Sequence, residues 1–332
     1  MPGMDLGSGG APLLWDQHCC LPLSPQADVG ELARYNRPGG SFVSANVGYS
    51  PHTYGYVLSL LDAFRRGVAA DERLLLSASI GDIVSARDGG RVAVAFDLED
   101  SGPLEERLER VQELYDLGVR TMLPTYNRQN AAGSGCLDVV DGGLTEYGRA
   151  LVREMNAVGM VVDGSHGSIR TGLDLCEASE QPVIYGHACM RGVWEHPRNI
   201  TDQQARACAK TGGVIGITGV GIFLGPNDAS IDAMIRHIDY AVDLVGPDHV
   251  GLSTDFVFDD DGLDLGPDDD YLFDESYTRW GEIKYLPPER LLEVEDGLRE
   301  HGYKDENIVA ILGGNFLRVA EQWKPPSSPS SA

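Results

Sequence analysis

Positive charge is scarce in this 332-residue chain: 26 Lys and Arg stand against 51 Asp and Glu, leaving a net charge of −25. Phosphate backbones and anionic lipid surfaces call for a basic face, so neither nucleic acid nor a membrane is expected as a partner. The acidity reads chiefly as a strongly solvated surface. Long apolar runs are lacking as well. The longest weakly polar stretch, 212–225, is too short and too glycine-rich to cross a bilayer. The opening MPGMDLGSGGAPLLW has no basic region followed by an apolar run, so no secretory leader is expected and a cytoplasmic location is. Cysteine is sparse too: the 6 cysteines, at 19, 20, 136, 176, 189 and 208, lack the paired spacing of a disulfide scaffold, which predicts free thiols. No repeat and no dividing linker is visible, and a hydrophobic content of 42% is enough for one large core. The expected organisation is a flexible segment over 1–12, one domain over 13–323 and a flexible Pro/Ser tail over 324–332, with an acidic surface loop at 259–270.

What the chain does have is alternation. Short apolar, β-branched runs fall at 13–21, 41–49, 91–99, 119–126, 159–166, 181–187, 212–221 and 249–256, separated by longer helical patterns. In 144–158, Leu144, Tyr147, Leu151, Met155 and Val158 share one helical face. Thr201 and Gln204 have the spacing of a capping box, and 228–246 repeats the amphipathic pattern. Eight strand–helix units predict an α/β fold, a single (β/α)8 TIM-like barrel with a parallel sheet inside and helices outside.

The polar residues stand where such a barrel would use them. Six runs end in a side chain able to bind metal or move protons: His18 with Cys20, Glu99, Tyr126, His166, His187 and Asp255. The carboxyl ends of barrel strands converge on one mouth, so these distant residues are expected to be neighbours. A lone histidine at a strand end is usually structural; three with an acid at equivalent ends are hard to explain that way. His18-x-Cys20 places both side chains on one strand face, and imidazole with thiolate suits zinc over a hard cation. Cys20 reads equally well as a small buried hydrophobe. Glu99 lies nearer the mouth than Asp97, which predicts Glu99 as ligand and Asp97 as its neighbour's orienter.

SHGS at 165–168, GHACM at 186–190, PRNITD at 197–202, GLSTDF at 251–256 and GGNFLRV at 313–319 occur in the order and spacing of the membrane dipeptidase family. With LGVRTMLPTYNRQN at 117–130 and GLTEYGRALVREMNAVGMVVDGSH at 143–166, the chain resembles that family from roughly 13 to 320. The resemblance implies a zinc-dependent dipeptidase on a distorted (β/α)8 barrel, tolerant of a D or dehydro residue at the substrate's C-terminal position. It implies two zinc ions, at least one being required by the second site, and a homodimer. Carried over, His18 and Cys20 hold one metal, Glu99 bridges, and His166 and His187 hold the second. Asp255 corresponds to the proton shuttle and Arg198 to the receiver of the substrate carboxylate, with Tyr126 and Asn127 beside the substrate. The chain departs from the family in having His18-x-Cys20 for His-x-Asp, Tyr126 for a histidine, and Asp100-Ser101 for a glycine pair.

The mechanism expected is attack of a metal-activated hydroxide on the amide, with Asp255 moving the proton and Tyr126 or a metal holding the oxyanion. Asp255 could equally be a metal ligand, and Arg198 a surface residue near a helix start. The alternative functions are a one-metal hydrolase or lyase acting on a non-peptide amide, ester or lactone, and a catalytically silent barrel kept for binding.

Overall fold

The computed structural model describes residues 11–258 and 269–327. Its strands are β1 (Leu14–Cys20), β2 (Ser41–Asn46), β3 (Leu74–Leu76), β4 (Val92–Leu98), β5 (Val119–Met122), β6 (Val161–Asp163), β7 (Val183–Ala188), β8 (Ile215–Ile217), β9 (Val250–Leu252) and β10 (Phe256–Val257). Each of the eight apolar runs carries one of them. Pairing is parallel throughout, in the order β10–β1–β2–β4–β5–β6–β7–β8–β9, with β3 alongside β4. β9 and β10 are separated only by residues 253–255. Ser253 N donates to Ile217 O at 3.0 Å and Asp255 N to His18 O at 3.0 Å, so this one segment joins β8 to β1 and closes the ring. The chain thus forms the α/β barrel expected, with its last strand split in two and β3 added.

The foreseen helices form close to their expected bounds. Glu146–Val158 is capped by Thr145, whose hydroxyl accepts from Gly148 N at 3.0 Å. The Thr201–Gln204 capping box heads the helix Asp202–Lys210, and the amphipathic stretch before β9 becomes Ile231–Val245. Part of each expected loose segment lies outside the described residues: 1–10 of the start, 259–268 of the acidic loop and 328–332 of the tail. Ahead of the last, Lys324 N donates to the Tyr115 hydroxyl at 2.8 Å and Ser327 N to Asp116 at 2.8 Å.

Strand alternation sorts the core into two layers. In β4, Val92, Val94, Phe96 and Leu98 pack towards the helices, while Ala93, Ala95 and Asp97 face the barrel interior. The interior grades from apolar to polar along the strands. At its floor Trp15 stacks on Phe42 (centroids 3.7 Å apart, 25° between planes), with Phe316 and Trp323 at 6.2 and 6.1 Å. Gly313 lets the C-terminal segment seal this end, since a Cβ there would lie 2.6 Å from Leu13 O. Higher up, Gln17 accepts from Trp15 Nε1 at 2.9 Å and donates to Thr121 at 3.2 Å. The β1–β2 register then shifts between Asp16 and Cys19. Past that irregularity the inward positions pass from Trp15 and Gln17 to His18 and Cys20.

Candidate active site

At the carboxyl ends of the strands, His18, Cys20, Glu99, His166, His187 and Asp255 come together. Their potential ligand atoms form three overlapping groups, each within 4.8 Å: His18, Cys20 and Glu99; Glu99, His166 and His187; and His18, His187 and Asp255. Glu99 Oε1 lies at the centre, 3.4 Å from His18 Nε2, 3.4 Å from His166 Nε2 and 3.2 Å from His187 Nε2. Cys20 Sγ and Asp255 Oδ1 approach His18 Nε2 at 3.3 and 3.5 Å.

For two of the rings the surroundings fix which nitrogen faces inward. His18 Nδ1 donates to Asp97 Oδ1 at 2.9 Å, and the other oxygen of Asp97 accepts from Ser44 at 2.6 Å. His166 Nδ1 donates to Asn127 Oδ1 at 2.7 Å. With that proton outward, the Nε2 lone pair of His166 points into the cluster, and His18 turns its Nε2 the same way. Asn46 Nδ2 holds Glu99 Oε2 at 2.5 Å. Burial pushes His166 and His187 well below the usual histidine range, with the positive charge of Arg198 and His18 adding to the effect, so both rings are neutral. Burial would lower His18 too, but the carboxylates of Asp97 and Glu99 more than reverse it. Burial raises the carboxyls of Glu99, to about 8, and Asp255, to about 6, and the Cys20 thiol to about 12. His166 Nε2 and His187 Nε2 sit 3.0 Å apart, both facing Glu99 Oε1. Two neutral imidazoles whose inward nitrogens face one carboxyl oxygen supply the nitrogen and oxygen donors of a cation site.

The backbone is strained at this point. His166 (φ 63°) and Asp255 (φ 51°) are two of only five non-glycine residues with positive φ among those described. Such conformations cost about 1–3 kcal/mol each and persist where the surroundings impose them. Sequence pattern carries no trace of this.

The remaining expected residues are placed less uniformly. Tyr126 stacks on His166 (4.1 Å, 19°), and burial raises its hydroxyl well above the usual range. Asn127 is fully buried behind His166; besides the histidine it accepts from the Tyr277 hydroxyl at 3.0 Å and donates to Leu272 O at 3.0 Å. Arg198 is 2% exposed; its Nη2 donates to His187 O at 2.6 Å, while Nε and Nη1 have no partner among the described residues. Asp100 and Ser101, at the departure from the family pattern, turn away from the cluster: Asp100 accepts from Gly102 N (2.6 Å) and Asn130 (2.7 Å), and Ser101 donates to Pro124 O (2.6 Å).

Two cavities meet at this centre, and His166 lines both. The larger, about 640 Å³, is also bordered by Cys20, Glu99, Tyr126 and Asp255. The smaller, about 280 Å³, is polar and includes Arg191, Arg198 and Gln204. Sequence reasoning missed Asn46, which lies within the 41–49 run rather than at its end and carries an amide that neither titrates nor favours zinc. It also missed Phe273 and Tyr277 in the large cavity, which follow the last strand in a stretch without periodicity.

Comparison with known proteins gives a consistent answer. The family model described as Membrane dipeptidase (Peptidase family M19) matches residues 26–330. An uncharacterized protein in the pqqA 5′ region of Klebsiella pneumoniae is 32% identical over 258 residues, covering 74% of this chain and 88% of that one. An uncharacterized dipeptidase of Schizosaccharomyces pombe is 32% identical over 276 residues, covering 80% of this chain but 61% of the yeast protein, so the chain spans only part of that relative's length. Among solved structures, an amidohydrolase from Pseudomonas aeruginosa superposes with a TM-score of 0.81 at 25% identity, covering 94% of this chain and 96% of that one.

Proposed function

Since the chain belongs to the membrane dipeptidase family of peptide-bond hydrolases, we propose that it is a zinc-dependent dipeptidase whose centre is the cluster around Glu99. The observation that carries this reading is the convergence of three imidazole Nε2 atoms on one carboxylate oxygen, with the outward nitrogens of His18 and His166 tied to Asp97 and Asn127. The donor set fits zinc: three imidazoles, a carboxylate and a thiol, with hydrogen-bonded partners behind His18 and His166. His18, Cys20 and Glu99 would hold one ion, and Glu99, His166 and His187 a second. Zinc bound there supplies Lewis acidity, which eases deprotonation of water and polarises an amide carbonyl.

The protein's own groups do the rest. Asp255, held at positive φ beside His18, takes the proton of the attacking water and returns it to the leaving amine. Tyr126, kept protonated and stacked against His166, donates to the oxyanion. Arg198, with two buried nitrogens free, receives the terminal carboxylate of the substrate from the smaller cavity. Asn127 acts through His166 rather than on substrate, which its burial supports. A homodimer belongs to the same reading, and Val139 and Val140, 99% and 77% exposed, offer apolar surface for it. No helix among the described residues is long and apolar enough to cross a membrane.

The test is hydrolysis of L-Ala-L-Ala and L-Ala-D-Ala by zinc-loaded protein, followed as release of free alanine. Turnover that a chelator abolishes and zinc restores is expected. No release with zinc, manganese or cobalt added would remove the dipeptidase reading.

A further inference from the structure

The chemistry accounts for only one wall of the large cavity. Besides Glu99 and Asp255, it is lined by Val220, Phe223, Phe273, Tyr277, Ile283 and Tyr285. Their rings form a belt of edge-on contacts: Tyr126 to Phe273 (6.2 Å, 84°), Phe273 to Tyr277 (5.2 Å, 69°) and Tyr277 to Phe223 (5.6 Å, 84°). This is the geometry in which aromatic quadrupoles attract, and a further ring from a ligand can join it. The belt is anchored from behind. Asn127 holds Leu272 O and the Tyr277 hydroxyl, Arg128 Nε holds Tyr271 O at 2.7 Å, and Trp280 Nε1 holds Ser276 O at 3.1 Å. A preformed apolar wall of this kind binds without the cost of ordering it.

The lining also has a sign. Among the described residues no Lys or Arg borders this cavity, whereas Glu99, Asp255 and the exposed Glu282 do. Arg198 borders the smaller cavity, and its guanidinium lies over the Phe223 ring, 5.6 Å from the centroid, at one end of the belt. A substrate whose carboxylate goes to Arg198 therefore sets its C-terminal residue at the Phe223 end of the belt and directs its amino-terminal residue towards Phe273 at the other. A small side chain there would leave that wall in contact with water, and an acidic one would meet carboxylates with no cation to match it.

Resting on the dipeptidase reading, we propose that the large cavity seats a bulky apolar side chain, aromatic foremost, on the N-terminal residue of the dipeptide, and that Phe273 and Tyr277 set this preference. Burying a ring against the belt favours it over a methyl group by about 10- to 100-fold.

The experiment compares kcat/KM of the zinc-loaded enzyme for L-Phe-D-Ala, L-Ala-D-Ala, L-Asp-D-Ala and the reversed L-Ala-D-Phe, together with calorimetric affinities for the same four. L-Phe-D-Ala should exceed L-Ala-D-Ala by about 10-fold or more, L-Asp-D-Ala should be the poorest, and L-Ala-D-Phe should show no such gain. Phe273→Ala should shrink the Phe-to-Ala ratio at least fivefold, and Val220→Phe, which fills the seat from another side, should do the same if Phe273→Ala does not fold. If no dipeptide is turned over yet L-Phe-D-Ala still binds about tenfold more tightly than L-Ala-D-Ala, the seat stands and the dipeptidase reading falls. Equal kcat/KM and equal affinity for the two, a gain confined to L-Ala-D-Phe, or no binding and no turnover at all would overturn the assignment.

Discussion

The two ends of the barrel interior are built on opposite principles. At the floor, Trp15, Phe42, Phe316 and Trp323 stack on one another, Gly313 lets the chain close over them, and Asn315 Nδ2 ties the C-terminal segment to Pro247 O and Val250 O at 2.7 and 2.8 Å. At the mouth, His166 and Asp255 hold strained backbone, His187 Nδ1 and two nitrogens of Arg198 lack partners among the described residues, and neutral imidazoles face one another. The floor is apolar stacking, with Trp323 Nε1 its one ring nitrogen left without a partner among the described residues, whereas the mouth gathers strained backbone and facing ionisable groups within a few ångströms. Violations concentrated in one place, on a scaffold that tolerates them, mark the part of a protein shaped by chemistry rather than by stability.

Substitutions at the two ends should therefore separate activity from stability. Glu99→Gln should have the largest effect, lowering turnover by about 10³-fold or more and lowering metal content with it, because both proposed metal sites share that carboxylate. The urea midpoint of the metal-free protein should hardly move. Elemental analysis, steady-state kinetics and urea titration together read this, and a large drop in the metal-free midpoint would make Glu99 a structural residue. Asp255→Asn should lower turnover by about 10²- to 10⁴-fold with metal content kept. Loss of metal instead would turn Asp255 into a ligand, and full activity would remove it from the chemistry.

The floor should behave in the reverse manner. Trp15→Ala removes the centre of the aromatic stack and should cost about 3–5 kcal/mol of stability, with kcat close to that of the parent at temperatures where the variant is folded. A variant as stable as the parent would contradict the division of labour. The smallest effect expected concerns pH and a histidine remote from the cluster. His237 accepts from Met190 N at 3.0 Å and donates to Leu224 O at 3.1 Å, and burial pushes it down to about 4. The unfolded value is about 6.5, so between pH 6.5 and 4 the unfolded chain takes up a proton that the folded one refuses. This contribution is fully present above pH 6.5 and is lost on acidification, by about 2 kcal/mol at pH 5. His237→Gln should flatten the fall in urea midpoint between pH 7.5 and 5; an unchanged slope would show that His237 does not titrate in this way.

The contrast between the two ends also explains what the sequence reveals and what it conceals. Apolar runs identify barrel strands because both faces of a parallel strand are buried, and the same rule lets a polar residue at the end of a run stand out. That is how His18, Glu99, Tyr126, His166, His187 and Asp255 were legible. β3, three leucines long, offers too few residues for any pattern, and the division of 249–256 between two neighbours depends on ring closure, which is a global property. Alternation gives a side chain's face but not its depth, so Asn127, one residue beyond Tyr126, was expected beside the substrate and lies behind His166 instead. The positive φ of His166 and Asp255 left no mark on residue choice, since neither is glycine. The aromatic belt escaped notice because Phe273 and Tyr277 belong to a segment placed by contacts with Asn127 rather than by its own periodicity.

The claim on which all of this turns is that the mouth is a metal centre, and elemental analysis of purified protein dialysed against zinc and then against metal-free buffer tests it most directly. About two zinc ions per chain are expected for the parent, falling towards one in Cys20→Ala, where His18 and Glu99 alone make a poor first site, and further in His166→Ala. A parent protein that retains no zinc, or a Cys20→Ala, His166→Ala double variant that retains as much as the parent, would contradict it.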